Sequence, residues 1–299
     1  MGYTSTMNER SYRVGVDVGG THITCALFDS ATSAMIQERN KRASIHTHGE
    51  KDVILGEFAE VLKQTTGELL NQVSSVGFAF PGPFDYEAGI CLIPPALAKY
   101  EKLFGVNVKT ELTQLLGFHG SMKFMNDAAC FAIGEYRMGG ARGSRRTLAL
   151  AIGTGFGSTF LADGKPVTQG AAVPKDGMLW HVPYNGGIAD DTFSSRGLVK
   201  AWKDASGETV SCAKELDDLA RAGDQRALAV FEQWGRQMAE CLQPWLVALD
   251  VDTIVLGGNI AKAWDWFVPA LKRGIGDSVR VNPGELGESA QMIGAAFIE

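Results

Sequence analysis

Asp17-Val18-Gly19-Gly20-Thr21 lies between two short apolar runs, residues 12–16 and 23–28. A strand ending in a carboxylate, a glycine pair, a hydroxyl residue and a returning strand form a hairpin able to hold nucleotide phosphates. Its backbone N–H groups can approach phosphate oxygens because glycine presents no Cβ. The Asp17 carboxylate can hold Mg2+, a hard cation that takes oxygen ligands. The same string is also ordinary turn chemistry for a β-hairpin. Recurrence favours the phosphate reading: residues 148–152 form a second apolar run, Gly153-Thr154-Gly155-Phe156-Gly157 a second glycine turn, and 158–162 a second returning strand. The two copies read as an internal duplication.

Asp127 is the candidate catalytic group. It follows the apolar strand 122–125 and precedes a helix-like segment, 128–137, so its carboxylate stands where a strand end meets a ligand. Its neighbour Asn126 offers a donor and an acceptor suited to hydroxyls. A local reading stands beside this one: Asp127 caps the helix that follows, worth about 1 kcal/mol.

The elements that must position these residues follow from periodicity. After the first hairpin, 35–40 reads as a third strand and 53–70 as a helix, with apolar residues at Val53, Phe58, Val61, Leu62 and Leu69. Residues 75–80 form a buried strand running into Pro81-Gly82-Pro83. Residues 108–116 read as helical, and Gly117-Phe118-His119-Gly120 is a candidate hinge. Beyond the second hairpin lie a loop-rich region, 170–195, helices over 197–204, 213–222 and 227–249, a strand at 253–256, the turn Gly257-Gly258-Asn259, a helix over 260–275 and a last helix around 294–297. Hairpins followed by helices, in two similar halves, describe an α/β protein with a mixed sheet in each half and a ligand cleft between them. The expected division is 1–119 and 120–286, with a C-terminal helix of about 287–299 packing back on the first half.

The 299 residues, 45% hydrophobic, suffice for a large core. A net charge of -6, with no basic run longer than Arg145-Arg146, argues against a nucleic-acid surface. No apolar stretch approaches the roughly 20 residues that span a bilayer, and residues 1–11 are polar without a signal core. The expectation is a cytoplasmic protein with no membrane partner. The five cysteines show no C-x2-C spacing, which gives no support to a disulfide framework or a cysteine-rich zinc site. Cys25, Cys130 and Cys241 read as buried thiols.

Asp17-Val18-Gly19-Gly20-Thr21, Phe80-Pro81-Gly82-Pro83, Asn126-Asp127-Ala128-Ala129, Gly153-Thr154-Gly155-Phe156-Gly157 and Leu256-Gly257-Gly258 occur in an order and approximate spacing that resembles the ROK family of bacterial sugar kinases, within the actin-like ATPase superfamily. The resemblance covers nearly the whole chain. It implies two actin-like, ribonuclease H-like halves and ATP-dependent phosphorylation of a sugar hydroxyl, on a hexose or N-acetylhexosamine. It places Asp127 as the general base. Asn126, His181 and the backbone around Gly82 would hold the sugar, and Asp17 the Mg2+, through water. Gly19, Gly20 and Thr21 would lie on one side of the phosphates, with Gly153, Thr154, Gly155 and Gly157 on the other. Gly257 and Gly258 would flank the adenosine. A homodimer is what the family implies.

Two departures matter. Where the family carries Glu-x-Gly-His, this chain reads Met178-Leu179-Trp180-His181, so Met178 replaces the sugar-binding Glu and Trp180 the Gly. No cysteine lies between His181 and Cys212, so the family's zinc site is expected to be absent. A thioether is only a weak acceptor, so either sugar affinity is low or another acid, Asp190 or Asp191, supplies the contact; a loop or cap role suits those two better. Trp180 could stack on a sugar face or pack in the core, and His22 replaces a Lys common in the family. Two other readings follow: a catalytically weak sugar- or nucleotide-binding relative, motivated by Met178, and a sugar-responsive repressor, which would carry a helix-turn-helix ahead of the first strand where this sequence has eleven residues.

Overall fold

The computed structural model describes residues 11–299; the polar stretch 1–10 lies outside the described residues. The chain divides into two units, 1–134 with 288–299, and 135–287. In the first, β1 (Tyr12–Val18), β2 (His22–Asp29), β3 (Lys41–Ser44), β4 (Val73–Phe80) and β7 (Ser121–Asn126) form a sheet in the order β3-β2-β1-β4-β7. The small hairpin of β5 (Phe84–Asp85) and β6 (Ile90–Cys91) stands apart. Strands β1, β2 and β3 are antiparallel neighbours, while β1, β4 and β7 run parallel.

One face of this sheet buries Val14, Val16, Phe78 and Phe80 in a core shared with α1 (Lys51–Thr66) and α2 (Val108–Leu116). The C-terminal helix, Ala290–Ala296, contacts the sheet through two glycines. Gly15 and Gly77 are register partners on β1 and β4; a Cβ on either would sit 2.0 Å from the Met292 carbonyl oxygen or 1.9 Å from that of Ala295. Helix backbone therefore lies directly on strand backbone, which any larger residue would forbid.

In the second unit, β8 (Arg146–Ile152), β9 (Phe156–Ala162), β10 (Lys165–Pro166), β13 (Thr253–Gly257) and β14 (Arg280–Pro283) repeat the pattern in the order β10-β9-β8-β13-β14. Again one hairpin is followed by parallel strands, so the duplicated motif corresponds to duplicated sheet topology. A two-residue hairpin, β11 (Pro183–Tyr184) and β12 (Gly187–Ile188), and the short α4 (Ala189–Thr192) occupy the region read as loop. The core, centred on Trp202, Phe231, Trp234 and Phe267, is packed by α5 (Ser195–Ser206), α6 (Ala213–Arg221), α7 (Gln225–Leu249) and α8 (Trp264–Ile275). Cys25, Cys130 and Cys241 are buried thiols.

Several boundaries differ from expectation. The stretch 35–40 is a single 3-10 turn at Gln37–Arg39, and Met35 makes only an isolated bridge to Phe28; the third strand is the polar edge strand β3, carrying Lys41 and Arg42. Gly67, at φ 53, ends α1 before residue 70. Gly117 is a left-handed cap joining α2 to β7, and both of these lie in the first unit. No helix among the described residues is long and apolar enough to cross a membrane.

Candidate active site

In the first unit, β1 delivers Asp17 to the mouth of the hairpin, where it stands between Thr24 on β2 and Ala79 on β4. The Gly19 N–H donates to the His22 carbonyl at 2.8 Å and closes the turn. Neither Gly19 nor Gly20 has positive φ, so backbone handedness is not why glycine is there. A Cβ on Gly19 would approach the His22 carbonyl oxygen at 3.0 Å, while one on Gly20 would meet only Lys99 Cε, at 3.9 Å. Gly20 is thus bare toward open space, as a phosphate-facing backbone requires. Thr21 Oγ1 bonds to Nδ1 of the half-buried His22 at 2.8 Å. A cavity of about 200 Å³ at this point is lined by Asp17, Gly20, Thr24, Arg42 and Gln291.

Asp127 opens α3 (Asp127–Met138) directly after β7. Asn126 Oδ1 and Asp127 Oδ1 both accept the Ala128 N–H, at 3.0 and 2.9 Å, so the capping role is real and still leaves Asp127 Oδ2 uncommitted to that bond. Asn126 Nδ2 donates to Tyr86 Oη at 3.3 Å, and Tyr86 Oη donates to the Phe80 carbonyl at 3.2 Å. A Cβ on Gly82 would lie 3.2 Å from the same Oη. One phenol therefore ties Asn126 and the Phe80–Pro83 turn together, a role that local sequence did not signal. Burial pushes the Tyr86 pKa up to about 12, keeping it a neutral donor.

Both carboxylates are raised above their ordinary range, and burial is the first cause for each. Asp17 is pushed from 3.8 up to about 6, first by burial and then by repulsion from Asp127. Asp127 is accessible at its surface yet desolvated by the protein around it; that loss of water raises its pKa, against the Ala128 N–H and the Lys99 ammonium, which lower it. A pair of strained anions in a polar site marks a functional region rather than a structural ion pair. Asp17 is a single anionic oxygen donor; among the described residues no group of three His, Cys, Asp or Glu is placed to hold a metal ion.

In the second unit, Gly153, Thr154 and Gly155 form the turn closed by Ile152 and Phe156. A Cβ on Gly153 would meet nothing within 4 Å. The position matching Asp17, one residue before the strand end, is Ala151, which lies between Gly157 on β9 and Gly257 on β13. The second copy therefore offers a bare strip of backbone and no carboxylate. Gly258 is required on two counts: its φ is 87, and a Cβ would sit 2.3 Å from the Ile152 carbonyl oxygen. Beside this turn is a cavity of about 610 Å³, lined by Thr154, Ser195, Cys212, Lys214, Arg221 and Asn259, within the range of small-molecule sites.

Asp190 braces the turn. Its Oδ1 accepts the Phe156 N–H at 2.6 Å and its Oδ2 pairs with Arg196. Asp191 accepts the Ile188 N–H at 3.2 Å and lies 3.4 Å from Arg196. Asp190 thus joins the β8–β9 turn to α5, while Asp191 is bonded to its own loop and to Arg196. His181 bonds through Nε2 to the Lys175 carbonyl at 3.0 Å and meets Trp180 edge to face, with centroids 5.1 Å apart. Trp180 is 45% exposed and so is not a core residue.

Two copies of one mixed sheet, each with a glycine turn, place the chain in the class of two-unit α/β proteins. The chain is a member of the ROK family, whose pattern matches residues 13–298. It is 26% identical to the glucokinase of Thermotoga maritima, across 95% of this chain and 96% of that protein. It is also 26% identical to the N-acetyl-D-glucosamine kinase of Haemophilus influenzae strain 86-028NP, across 87% and 88%. Its structure superposes on the ROK hexokinase from Thermus thermophilus with a TM-score of 0.79, at 24% identity, over 95% of this chain and 96% of that one.

Proposed function

We propose that this protein is an ATP-dependent sugar kinase in which Asp127 is the general base. The observation that carries the reading is the environment of Asp127: a carboxylate at a strand end, stripped of water by the protein around it, has a raised affinity for protons and is suited to take one from a hydroxyl. Asn126, oriented by Tyr86 and by the Ala128 N–H, presents its amide to sugar hydroxyls. The backbone around Gly82 and the side chain of His181 are further sugar contacts in this reading. Gly19, Gly20 and Thr21 take phosphate oxygens, as do Gly153, Thr154, Gly155 and Gly157. The 610 Å³ cavity beside Gly257 and Gly258 receives the adenosine.

Mg2+ fits the donor set in one respect: Asp17 is a hard oxygen anion whose charge is unfavourable as the structure stands, and magnesium is held by one or two carboxylates with water and substrate phosphates. Bound there, through water, it would neutralise phosphate charge. The protein's own part is positioning and charge: Asn126 orients the hydroxyl, Asp127 takes its proton, and the two turns fix the phosphates.

The test is ADP release from Mg·ATP with glucose, mannose, fructose, allose, N-acetylglucosamine and N-acetylmannosamine. Turnover on at least one is expected. No turnover on any of them, with sugar binding retained, would replace the kinase reading by that of a sugar-binding relative. Sedimentation in the same buffer tests the proposed homodimer.

A further inference from the structure

Lys99 lies in a loop between β6 and α2, outside the glycine turns and strand ends. Ala98 and Tyr100, on either side of Lys99, both have left-handed backbones, at φ 48 and φ 54. Residues with a Cβ adopt this conformation at a cost of about 1 kcal/mol or more each, and such strain persists only where surrounding contacts impose it. Here the contacts are visible. Tyr100 is fully buried against Phe58 and Phe80; its Oη donates to the Gly19 carbonyl at 2.5 Å and its N–H to the Thr47 carbonyl at 3.1 Å. His48 bonds to Glu101 at 3.0 Å. The loop is fastened to the glycine hairpin itself.

The result is a lysine held over the turn. Lys99 Cε lies 3.9 Å from where a Cβ on Gly20 would be, and Nζ is 5.6 Å from the Tyr100 ring centroid. Among the described residues Lys99 forms no ion pair, whereas Arg42, the other cation acting on Asp17, is engaged with Glu288 at 2.8 Å. Lys99 is half-buried and its charge acts on both Asp17 and Asp127. An ammonium partly withdrawn from water and without an ion-pair partner is favoured by an anion beside it, and Gly20 leaves open space there for one.

We propose that Lys99 is a catalytic residue: its ammonium donates to the non-bridging oxygens of the phosphoryl group in transfer, beside the Gly19-Gly20 turn. The inference rests on the kinase reading. In the step, the hydroxyl oxygen of the sugar bonds to the γ-phosphorus while the bond from that phosphorus to the β,γ-bridging oxygen breaks. The hydroxyl proton passes to Asp127, the electron pair of the broken bond leaves with ADP, and Lys99 remains protonated throughout. Its contribution is electrostatic, worth about 10²- to 10³-fold in rate for a single donor of this kind.

The experiment compares wild type, Lys99→Met and Lys99→Arg in two assays. In steady state, Lys99→Met lowers kcat about a hundredfold or more with both KM values within threefold, and Lys99→Arg recovers at least a tenth of the wild-type rate. The acid limb of kcat/KM moves to higher pH in Lys99→Met, because the Lys99 ammonium is the cation that opposes the effect of burial on Asp127, and the neighbouring Tyr86 phenol and Cys130 thiol are neutral there. In calorimetry with Mg·ADP and beryllium fluoride, a mimic of the transferring group, Lys99→Met weakens the fluoride-dependent part of binding about tenfold and leaves ADP alone unchanged. Turnover by Lys99→Met within threefold of wild type with an unmoved acid limb would overturn the assignment. If the wild type phosphorylates none of the sugars while the fluoride-dependent loss is still seen, the kinase reading fails and the placement of Lys99 stands; if that loss is absent as well, both fail.

Discussion

Asp17→Asn tests whether the first hairpin stores unfavourable charge for function. The folded carboxylate titrates at about 6 rather than its ordinary 3.8, first because it is buried and second because Asp127 repels it. At about 1.36 kcal/mol per pH unit, that difference sets an upper bound of about 3 kcal/mol; solvent reaching this half-buried group reduces the expected effect to about 1–2 kcal/mol. The sign follows from linkage. Below about pH 4 the group is protonated in both folded and unfolded chains and contributes nothing; between about pH 4 and 6 the unfolded chain gives up a proton that the folded protein still holds, so stability falls across that window and levels off above it. Asp17→Asn should therefore be more stable than wild type by about 1–2 kcal/mol at pH 8, match it near pH 4, and be inactive. Urea unfolding of both proteins at the two pH values measures this, with matched m-values required for the comparison. An Asn variant that is less stable at pH 8, or whose difference from wild type is the same at both pH values, would refute the stored-charge argument.

Two further substitutions probe the rest of the account. Glu135 is fully buried and accepts the N–H groups of Gly140, Glu285 and Leu286 at 2.8, 3.0 and 3.1 Å; Glu135→Ala should cost about 3 kcal/mol or more by urea unfolding, since each orphaned donor costs about 1–3 kcal/mol, and a loss under 1 kcal/mol would show that water replaces the carboxylate. Met178→Glu restores the acceptor the family uses and should lower the sugar KM about five- to a hundredfold, the range of about 1–3 kcal/mol for one hydrogen-bond partner; an unchanged KM would place the sugar away from residue 178.

The parts of the fold legible in the sequence are those written locally. A glycine turn between apolar strands, and its repetition, specify two hairpins whose sheets share one topology. Edge strands were harder: β3 carries Lys41, Arg42 and Ser44, because exposed edges favour charge over apolar alternation, and the apolar Met35-Ile36 pair just before it drew the strand to the wrong place. β14, with Arg280 and Pro283, escaped notice for the same reason. Of the candidate site, Asp17, Asn126 and Asp127 stand out in the sequence because each lies at or beside the end of a strand. Tyr86, Lys99 and Tyr100 do not, since their roles come from contacts across 40, 79 and 81 positions of chain, to Asn126, Gly20 and Gly19. For Asp190 the sequence favours a loop or cap role over a sugar contact without naming its partners, the Phe156 N–H and Arg196, which only the packed loop brings to it.

Steady-state kinetics of Asp127→Asn, which keeps the size and the Oδ1 bond to the Ala128 N–H, test whether Asp127 removes the proton from the attacking hydroxyl. If it does, kcat falls about 10²- to 10⁴-fold, the usual contribution of a general base, with the KM values for sugar and Mg·ATP within threefold of wild type. A variant retaining more than a tenth of the wild-type kcat would contradict it, and would leave Asp127 as the cap of α3.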